Sequence, residues 1–428
     1  MNTIRTTLIM GAGAILDFSL PQGMTKPSTD IITKEVIKPY KHWQDGHTIN
    51  IVKRMYDRLK KKLPENTNPC IDSREPNVHF EMLFHVMESY LSYNRSWSGT
   101  CMNSKIFPIF GPFTKAAVKY MSNDLSSIMK DFILRIMDII HEYNEYFRND
   151  NGQEQWYRDF FHSAPFKWDV FNFNYDTTME ECIKEYEDGF DHIKDENNFL
   201  KFIPQKLWEN KNNFSTINHL HGCVQYFYSL YKDPNHDIYN NLSHDLYKYP
   251  SYTEVREAMV GSSRSKATNQ GNEEYYSGPI ITGLRKTDKL NCIPYDFYHG
   301  NLYNKIIQNR SMVIIGYSFG DLYMNQIIKR MNLIHGNKKR IVVIDYWNPQ
   351  AIHEHGVIHF CEYCTPTEEA HFLMMMAEKG SVQELMADLQ FKNTSTPMFS
   401  SNQNLMLFVG GFKNATSCIQ EIYNFLNS

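Results

Sequence analysis

The sequence predicts an α/β protein built on a Rossmann-like, doubly wound parallel sheet. Short, continuous apolar runs recur along the chain and alternate with stretches whose apolar residues have helical spacing. Several of these runs end directly in glycine, asparagine, histidine or aspartate, and ligands of open parallel sheets bind beyond such strand ends. A large helical insertion and a small C-terminal extension complete the predicted architecture.

Four regions are predicted along the 428 residues. Residues 1–34 begin the Rossmann-like domain with the strand "TTLIMGAG", and residues 35–164 form the helical insertion. Residues 165–365 complete the domain, and residues 366–428 form the C-terminal extension, which is a natural interaction surface.

Five further strands and one helix are expected in the second part of the domain. "DLYMNQIIKRMNLI" is the expected helix between the last two strands, and the polar stretch 261–278 is expected to be a mobile loop. The expected strands are "WDVFNFN" (168–174), "STINHLHG" (215–222), "GPIITGL" (278–284), "SMVIIGYS" (311–318) and "RIVVIDY" (340–346).

Composition excludes several functional classes. A net charge of -4 gives no basic field for nucleic acid, and no apolar run approaches the roughly 20 residues of a membrane span. The eight cysteines have no repeated spacing, which favours reduced thiols and a cytoplasmic location.

The first polar cluster, "GAGAILDF", follows the first strand. A Gly-x-Gly turn formed by Gly11, Ala12 and Gly13 would let a pyrophosphate approach the backbone, and Asp17 lies at the end of the same turn. The third glycine of a dinucleotide-binding fingerprint is replaced by Leu16, so a tight strand-to-helix turn is the alternative interpretation.

The second cluster, "FNFNYDTT", ends the next strand. Asn174 offers both a donor and an acceptor, so it could orient a ribose hydroxyl or a water molecule. Asp176 is a second candidate, although an aspartate at this position also caps the helix that follows.

The third cluster, "NHLHGCV", holds two histidines. On a continuous strand His219 and His221 would point to the same face, and a histidine near a strand end is suited to act as a general base. The alternative is a structural histidine within a polar network.

The fourth cluster comprises "IIGYSFGD" and, one unit later, "VVIDYWN". Gly316, Ser318 and Gly320 would allow a second close approach of the backbone, and Asp345 could accept a hydrogen bond from ribose or adenine. "GYSFG" also fits the nucleophile-elbow pattern of hydrolases, but that interpretation leaves the first three clusters unexplained.

A histidine- and cysteine-rich segment, "HEHGVIHFCEYC", carries ligand types that bind zinc. Its single Cys-x-x-Cys, Cys361 and Cys364, lacks a second pair, and the histidines from His353 to His359 are also compatible with the polar face of a strand. No metal ligand is therefore predicted.

The motifs Gly-Ala-Gly, Asn-Tyr-Asp, Leu-His-Gly and Gly-Tyr-Ser-x-Gly-Asp, taken in this order, resemble the sirtuin family. They more closely resemble its bacterial antiphage-defence branch of sirtuin-like NADases, and the helical stretch "HFEMLFHVMESY" is similar to that branch as well. The resemblance covers the sheet-forming parts of the chain.

The resemblance implies roles for the candidate residues. Asn174 would hold water and ribose near the nicotinamide bond, His221 would be the base, and Asp176 would complete the catalytic group. The residues implied to bind NAD are Gly11, Ala12 and Gly13 at the pyrophosphate, with Asp17 beside them, and Gly316, Ser318, Asp321 and Asp345 at the adenosine half.

Two departures from the family narrow the implied function. The interval from Cys223 to Ser277 lacks the two Cys-x-x-Cys pairs of sirtuin deacylases, and Phe173 replaces the glutamine before the catalytic asparagine. The resemblance therefore implies an antiphage-defence effector that hydrolyses NAD⁺ as its substrate, without a structural zinc.

Alternatives and partners remain open at this stage. A non-catalytic module that binds NAD or ADP-ribose to control assembly is one alternative, and a sirtuin-type ADP-ribosyltransferase or deacylase is the other. The resemblance implies a homo-oligomer and, as a first expectation for a partner, a HerA-type ATPase.

Overall fold

A computed structural model of the chain describes residues 4–428 apart from 25, 42–45, 47, 64–77, 97–123, 163–165, 192, 195–198, 211–212, 229–230, 233–238, 241–244, 262–265, 269–273, 277, 284–285 and 366. The start of the helical stretch predicted at 117–147 and most of the polar loop predicted at 261–278 lie outside the described residues.

The described residues form sixteen β-strands. They are β1 (Ile4–Met10), β2 (Tyr40–Lys41), β3 (Thr48–Ile49), β4 (Phe166–Asn172), β5 (Tyr186–Glu187), β6 (Ser215–His219), β7 (Tyr226–Tyr228), β8 (Tyr231–Lys232), β9 (Tyr239–Asn240), β10 (Leu246–Lys248), β11 (Lys266–Thr268), β12 (Glu274–Tyr276), β13 (Ser311–Ile315), β14 (Arg340–Ile344), β15 (Met398–Phe399) and β16 (Leu405–Phe408).

Eight of these strands form one central sheet in the order β15-β16-β14-β13-β1-β4-β6-β5. Neighbouring strands are parallel throughout, except that β15 is antiparallel to β16. The chain extends the sheet on one side of β1 through β4 and β6, and on the other side through β13, β14 and β16. The predicted doubly wound α/β fold class is confirmed, and the reversal of strand order lies at β1.

Sixteen α-helices are present in the same residues. They are α1 (Thr29–Val36), α2 (Ile51–Lys62), α3 (Phe80–Ser96), α4 (Asp124–Arg148), α5 (Gln155–His162), α6 (Thr178–Cys182), α7 (Pro204–Glu209), α8 (Tyr252–Gly261), α9 (Tyr295–Gln308), α10 (Leu322–His335), α11 (Pro349–His355), α12 (Val357–Tyr363), α13 (Thr367–Ala377), α14 (Val382–Leu389), α15 (Phe412–Ala415) and α16 (Ile419–Asn427). None of the helices within the described ranges has the length and apolarity that crossing a membrane requires.

Alternate residues of the sheet strands supply two separate hydrophobic cores. Ile9, Phe171 and Val343 belong to the core that α1 to α4 and α7 to α14 cover. Leu8 and Val170 belong to the opposite core, which α5, α6, α15, α16 and the end of α4 cover. Because both faces are buried, each strand is apolar at consecutive positions, and this is why the strands were readable as continuous runs.

One predicted strand is absent from the sheet. The segment predicted as a strand at 278–284 makes only an isolated bridge, between Ile280 and Gly222. The place beside β6 is taken by β5, and Ile281 instead donates its N–H to the His221 carbonyl oxygen at 2.7 Å. The apolar run is buried against a turn of the chain, and burial alone does not distinguish this from a strand.

The C-terminal residues contribute to the same sheet. Strand β16 pairs in parallel with β14, and β15 closes this edge of the sheet as an antiparallel strand. Helix α16 packs onto the core face that also holds Val342 and Ile344. Residues 398–408 therefore belong structurally to the central sheet.

A buried aspartate on β4 connects three strands and a helix. The Asp169 carboxylate accepts hydrogen bonds from the Arg5 guanidinium at 2.7 and 2.8 Å and from the Thr216 hydroxyl at 2.9 Å. Asn309 donates to it at 2.9 Å, and the Lys305 ammonium lies 3.4 Å away. Every partner is positioned by the fold, so the charge is compensated only when the sheet and α9 are assembled.

We expect Asp169→Asn to lower the free energy of unfolding by about 3–5 kcal/mol, because it leaves buried cations without their carboxylate. Chemical denaturation followed by tryptophan fluorescence measures this change. The matched control is Asp57→Asn, which removes the carboxylate of an exposed pair with Lys53 and should cost less than about 1 kcal/mol. Equal effects of the two substitutions would contradict the assigned role of Asp169.

Candidate active site

A cavity of about 450 Å³ lies beyond the carboxyl ends of β1, β4, β6 and β13. Its walls come from the loops after these strands and from the starts of α1 and α3. This volume falls within the range of small-molecule and cofactor pockets. The position is the crevice at which doubly wound sheets bind ligands, next to the strand where the order reverses.

Three glycines bring the loops after β1 and β13 into backbone contact. The Gly11 N–H donates to the Ile315 carbonyl oxygen and the Gly13 N–H to the Gly316 carbonyl oxygen, both at 2.9 Å. A Cβ at residue 11 would lie 2.4 Å from the Gly316 oxygen. The glycines are thus required by this contact, and Gly11 and Ala12 also line the cavity. The expected helix after the turn is a four-residue 3-10 helix, Ala12–Ile15.

Asn174 lies in the cavity wall one residue beyond Phe173, after the end of β4. Its backbone N–H donates to the Asn172 side-chain oxygen at 2.9 Å, and its own side-chain N–H donates to the Gly11 carbonyl oxygen at 3.0 Å. Among the described residues, nothing donates a hydrogen bond to its side-chain oxygen. The amide is therefore oriented by the β1 loop and keeps one acceptor for a ligand.

Asp176 also lines the cavity, but it has a structural role as well. One oxygen accepts hydrogen bonds from the N–H of Thr178 at 3.1 Å and from its hydroxyl at 2.5 Å, at the start of α6. The other oxygen is buried without a partner in the described part of the chain. Burial raises the pKa of this carboxyl group, although the hydrogen bonds from Thr178 act in the opposite sense.

The two histidines after β6 do not share a face. Strand β6 ends at His219, and the Gly222 N–H donates to the His219 carbonyl oxygen at 3.3 Å, which closes a turn. His219 turns towards Glu180, with its Nε2 2.7 Å from the carboxylate, whereas His221 lines the cavity. The prediction of a common face was wrong because the strand ends between the two residues.

His221 is paired with Asp321. Its Nε2 lies 3.1 Å from the Asp321 carboxylate, which also accepts the Met324 N–H at 3.1 Å as the N-cap of α10. Burial and Lys286 lower the pKa of His221 below its ordinary value, although Asp321 acts in the opposite sense. The neutral imidazole donates its Nε2–H to Asp321, and Nδ1 keeps a lone pair that can take a proton.

Asp321 itself remains ionised. Burial by itself would raise its pKa, but the hydrogen bond and charge of His221, together with Lys286 and the Met324 amide, hold the pKa at about 2. The sequence had assigned Asp321 to the adenosine half of a ligand, whereas the structure pairs it with the candidate base. Carboxylate and imidazole thus form an oriented acid–base pair.

Phe173 fills the space between two loops. Its ring lies edge-on to His221, with centroids 5.0 Å apart, and 4.7 Å from the Tyr317 ring. The Phe173 ring therefore covers one side of the imidazole and contributes to the desolvation that keeps His221 neutral.

Other residues proposed from the sequence lie outside the cavity wall as the described residues define it. Gly13 and Gly316 are in the backbone contact behind it. Asp17 accepts the Lys413 N–H at 2.9 Å. Asp345 is buried close to Glu369, and burial raises the pKa of both carboxyl groups.

The nucleophile-elbow interpretation of "GYSFG" finds no support. Ser318 is an exposed residue of the cavity rim, and it forms no hydrogen bond to a histidine within the described residues. A serine nucleophile needs a base within hydrogen-bonding reach.

The segment His353–Cys364 forms helices α11 and α12, not a strand. His353 and His355 are exposed, Cys361 is a buried free thiol, and Cys364 is disulfide-bonded. A disulfide sulfur is not a thiolate ligand, and these side chains do not gather into a metal-binding group among the described residues. The disulfide also departs from the expectation that all thiols are reduced.

The cavity also contains a histidine, a glutamate and a lysine that were not predicted. His79 and Glu81 come from the start of α3, and Lys286 comes from the chain after β12. Glu81 and Lys286 form an ion pair at 3.2 Å across the cavity wall. His79 and Glu81 belong to the stretch "HFEMLFHVMESY", but its sequence does not show that the helical insertion docks over the ends of the strands.

Residues 169–359 match the family model described as a SIR2-like domain, and no curated protein matches the chain. SIR2-like domains bind NAD as a substrate, so the match supports a sirtuin-like family and is consistent with an NAD-utilising enzyme. The matched segment contains Asn174, His221 and Asp321.

Substitution of Gly316 tests the backbone contact between the loops after β1 and β13. Gly316→Ala should lower the free energy of unfolding by about 2–4 kcal/mol, because φ is +57° and the new Cβ would lie 2.3 Å from the Ala14 nitrogen. Gly336→Ala is the matched control, with φ of +50° and no atom within 4 Å of the new Cβ, and should cost only about 1–2 kcal/mol. Thermal unfolding of both variants measures the difference, and equal losses would show that the backbone contact contributes nothing.

Proposed function

We propose that the protein is an antiphage-defence effector that hydrolyses NAD⁺ to nicotinamide and ADP-ribose. One observation carries this proposal: Asn174, His221 and Asp321 converge on a single cavity beside the backbone turn at Gly11. The match of the same segment to a SIR2-like domain supports NAD as the substrate.

In the proposed reaction the bond between the anomeric carbon of the ribose and the pyridinium nitrogen breaks. The bonding electron pair leaves with that nitrogen, so nicotinamide departs neutral, and the ribose develops oxocarbenium character. Water adds to the anomeric carbon and gives up one proton. The products are nicotinamide, ADP-ribose and that proton, so atoms and charge balance without a redox step.

Asn174 would orient the attacking water, and His221 would act as the base. The Nδ1 lone pair of His221 accepts the proton, either from the water or from a ribose hydroxyl, and Asp321 stabilises the imidazolium that forms. Asn174 is fixed through its bond to Gly11, so its free oxygen can hold the water or a hydroxyl in one orientation.

Carboxylate groups in the wall would stabilise the developing positive charge. Asp176 lies next to Asn174 along the loop and has a buried oxygen without a partner among the described residues. An ionised carboxylate in a water-poor cavity interacts strongly with a cationic ring. Asp176 would therefore both hold Thr178 at the start of α6 and act as an electrostatic group of the site.

The defence role implies that activity is restrained until it is needed. We propose that a homo-oligomer, in association with a HerA-type ATPase, provides this restraint. The native mass of the particle, with and without a co-encoded neighbouring protein, measures the assembly directly.

We expect His221→Ala and Asn174→Ala each to lower the rate of nicotinamide release from NAD⁺ by about 10²–10⁴-fold, because each removes a group that acts only on the reacting atoms. Chromatography of the products measures the rate. His353→Ala, which removes an exposed histidine on α11, is the matched control and should retain full activity.

The products formed from NAD⁺ also distinguish a hydrolase from the alternative functions. NAD binding without any turnover, in the active assembly, would indicate a non-catalytic sensor. Transfer of ADP-ribose to protein, or nicotinamide release only in the presence of an acylated peptide, would indicate a transferase or a deacylase.

The fall of kcat/KM at low pH should reflect the protonation of His221. Because the folded pKa lies below 6.5, kcat/KM should be constant at neutral pH and should fall only as the pH drops through that lower value. Asp321→Asn removes the group that raises this pKa, so the acid limb should move to still lower pH while the plateau falls by about 10²-fold or more.

Asparagine still caps α10, so a fall in activity should occur with little change in thermal stability. An acid limb that moves upward, or an unchanged plateau, would contradict the pairing of His221 with Asp321.

A further inference from the structure

A second group of reactive side chains lies directly behind the candidate active site. Glu180 on α6, His219 at the end of β6 and Cys223 in the following turn each offer one ligand atom, and these atoms lie within 4.8 Å of one another. Neither Glu180, His219 nor Cys223 lines the cavity that holds His221. The group therefore requires an explanation of its own.

The three side chains are held in an almost dry environment. His219 and Cys223 are 0% exposed, and the Glu180 side chain is only 10% exposed. Thiolate, imidazole and carboxylate are the three ligand types that bind zinc in proteins. They reach this point from three different segments of the fold, so the folded chain preorganises them.

Two polar atoms of the group lack hydrogen-bond partners within the described residues. Glu180 and His219 share one contact, at 2.7 Å, but the second carboxylate oxygen of Glu180 and Nδ1 of His219 are buried without a hydrogen-bond partner in the described residues. A buried polar atom without a partner costs about 1–3 kcal/mol. Two such atoms on adjacent side chains indicate that something else completes the site.

The surrounding charge favours a divalent cation. Burial raises the pKa of the Cys223 thiol well above its ordinary value, so metal binding would have to displace its proton. The Lys248 ammonium lies 3.9 Å from Glu180 but only 2.6 Å from Asp188, which neutralises it. One divalent cation would balance the charges of the Glu180 carboxylate and the Cys223 thiolate.

We propose that Glu180, His219 and Cys223 bind a zinc ion or a similar divalent transition metal. Binding releases the thiol proton of Cys223 to solvent, and the imidazole stays neutral with its N–H on the nitrogen that does not bind metal. Glu180 also lines a second cavity of about 300 Å³, from which water can supply a further ligand. The two Cys-x-x-Cys pairs that hold zinc in sirtuin deacylases are absent from the interval Cys223 to Ser277, so this would be a different kind of site.

The position gives the metal a structural consequence. His219 and Cys223 flank His221 at two residues on either side, and Glu180 follows Asp176 by four residues. A metal at this point would join the loops after β4 and β6 from behind. It would hold both loops in place without touching a substrate in the larger cavity.

Cobalt substitution tests the site, because a thiolate bound to Co²⁺ gives a charge-transfer absorption band. We expect the chelator-treated full-length chain to take up one Co²⁺ or Zn²⁺ per chain and to show this band with Co²⁺. Cys223→Ser should lose the band, and His219→Gln should bind the metal at least about tenfold more weakly.

The matched control is Cys182→Ser, which alters an equally buried free thiol on α6 outside the group and should keep the band. Zinc should also raise the thermal midpoint of the wild type and of this control, but not that of Cys223→Ser. The wild-type spectrum does not depend on whether a variant folds. Absence of the band in Co²⁺-treated wild type, or a band that persists in Cys223→Ser, would overturn the proposal.

Discussion

The close contact between the loops after β1 and β13 is the constraint on which the candidate site depends. At Gly11 and Gly316 two backbones meet with no room for a side chain, and hydrogen bonds from the Gly11 and Gly13 amides fix their separation. The Gly11 carbonyl group is then held where the Asn174 amide can bond to it. A small shift in one loop would therefore move the amide, and with it the orientation of anything bound there.

Burial then sets the electrostatic character of this scaffold. Phe173 and the surrounding wall desolvate His221 and keep the imidazole neutral, whereas Asp321 remains ionised because it accepts hydrogen bonds from His221 and from the start of α10. Burial shifts the pKa of Asp176 upward instead. Two carboxyl groups of one cavity thus have pKa values shifted in opposite directions, an arrangement that is typical of acid–base sites.

Sequence patterns predicted the strands and the polar residues at their ends. They did not predict the residues that enter the cavity through packing between distant parts of the chain. The strands that end at Met10, Asn172 and His219 were recognisable because burial on both faces makes them continuously apolar, and their ends mark the site. The same rule misassigned residues 278–284, which are buried against a turn. Glu81 reaches the cavity only because the helical insertion packs over the sheet, and Lys286 reaches it from the chain after β12.

The turn after β6 places His219 and His221 in two different chemical environments. Leu220 still donates its N–H to the Asn172 carbonyl oxygen at 2.9 Å, so the chain remains tied to β4 for one residue beyond the strand. The bond from Gly222 to His219 then turns the chain, and Gly222 adopts φ of +96°, where an added Cβ would lie 2.2 Å from the Pro279 oxygen. His219 is left on the side of Glu180 while His221 is carried to Asp321. Because one turn positions both imidazoles, any change that alters its geometry must act on the acid–base pair and on the buried group behind it together.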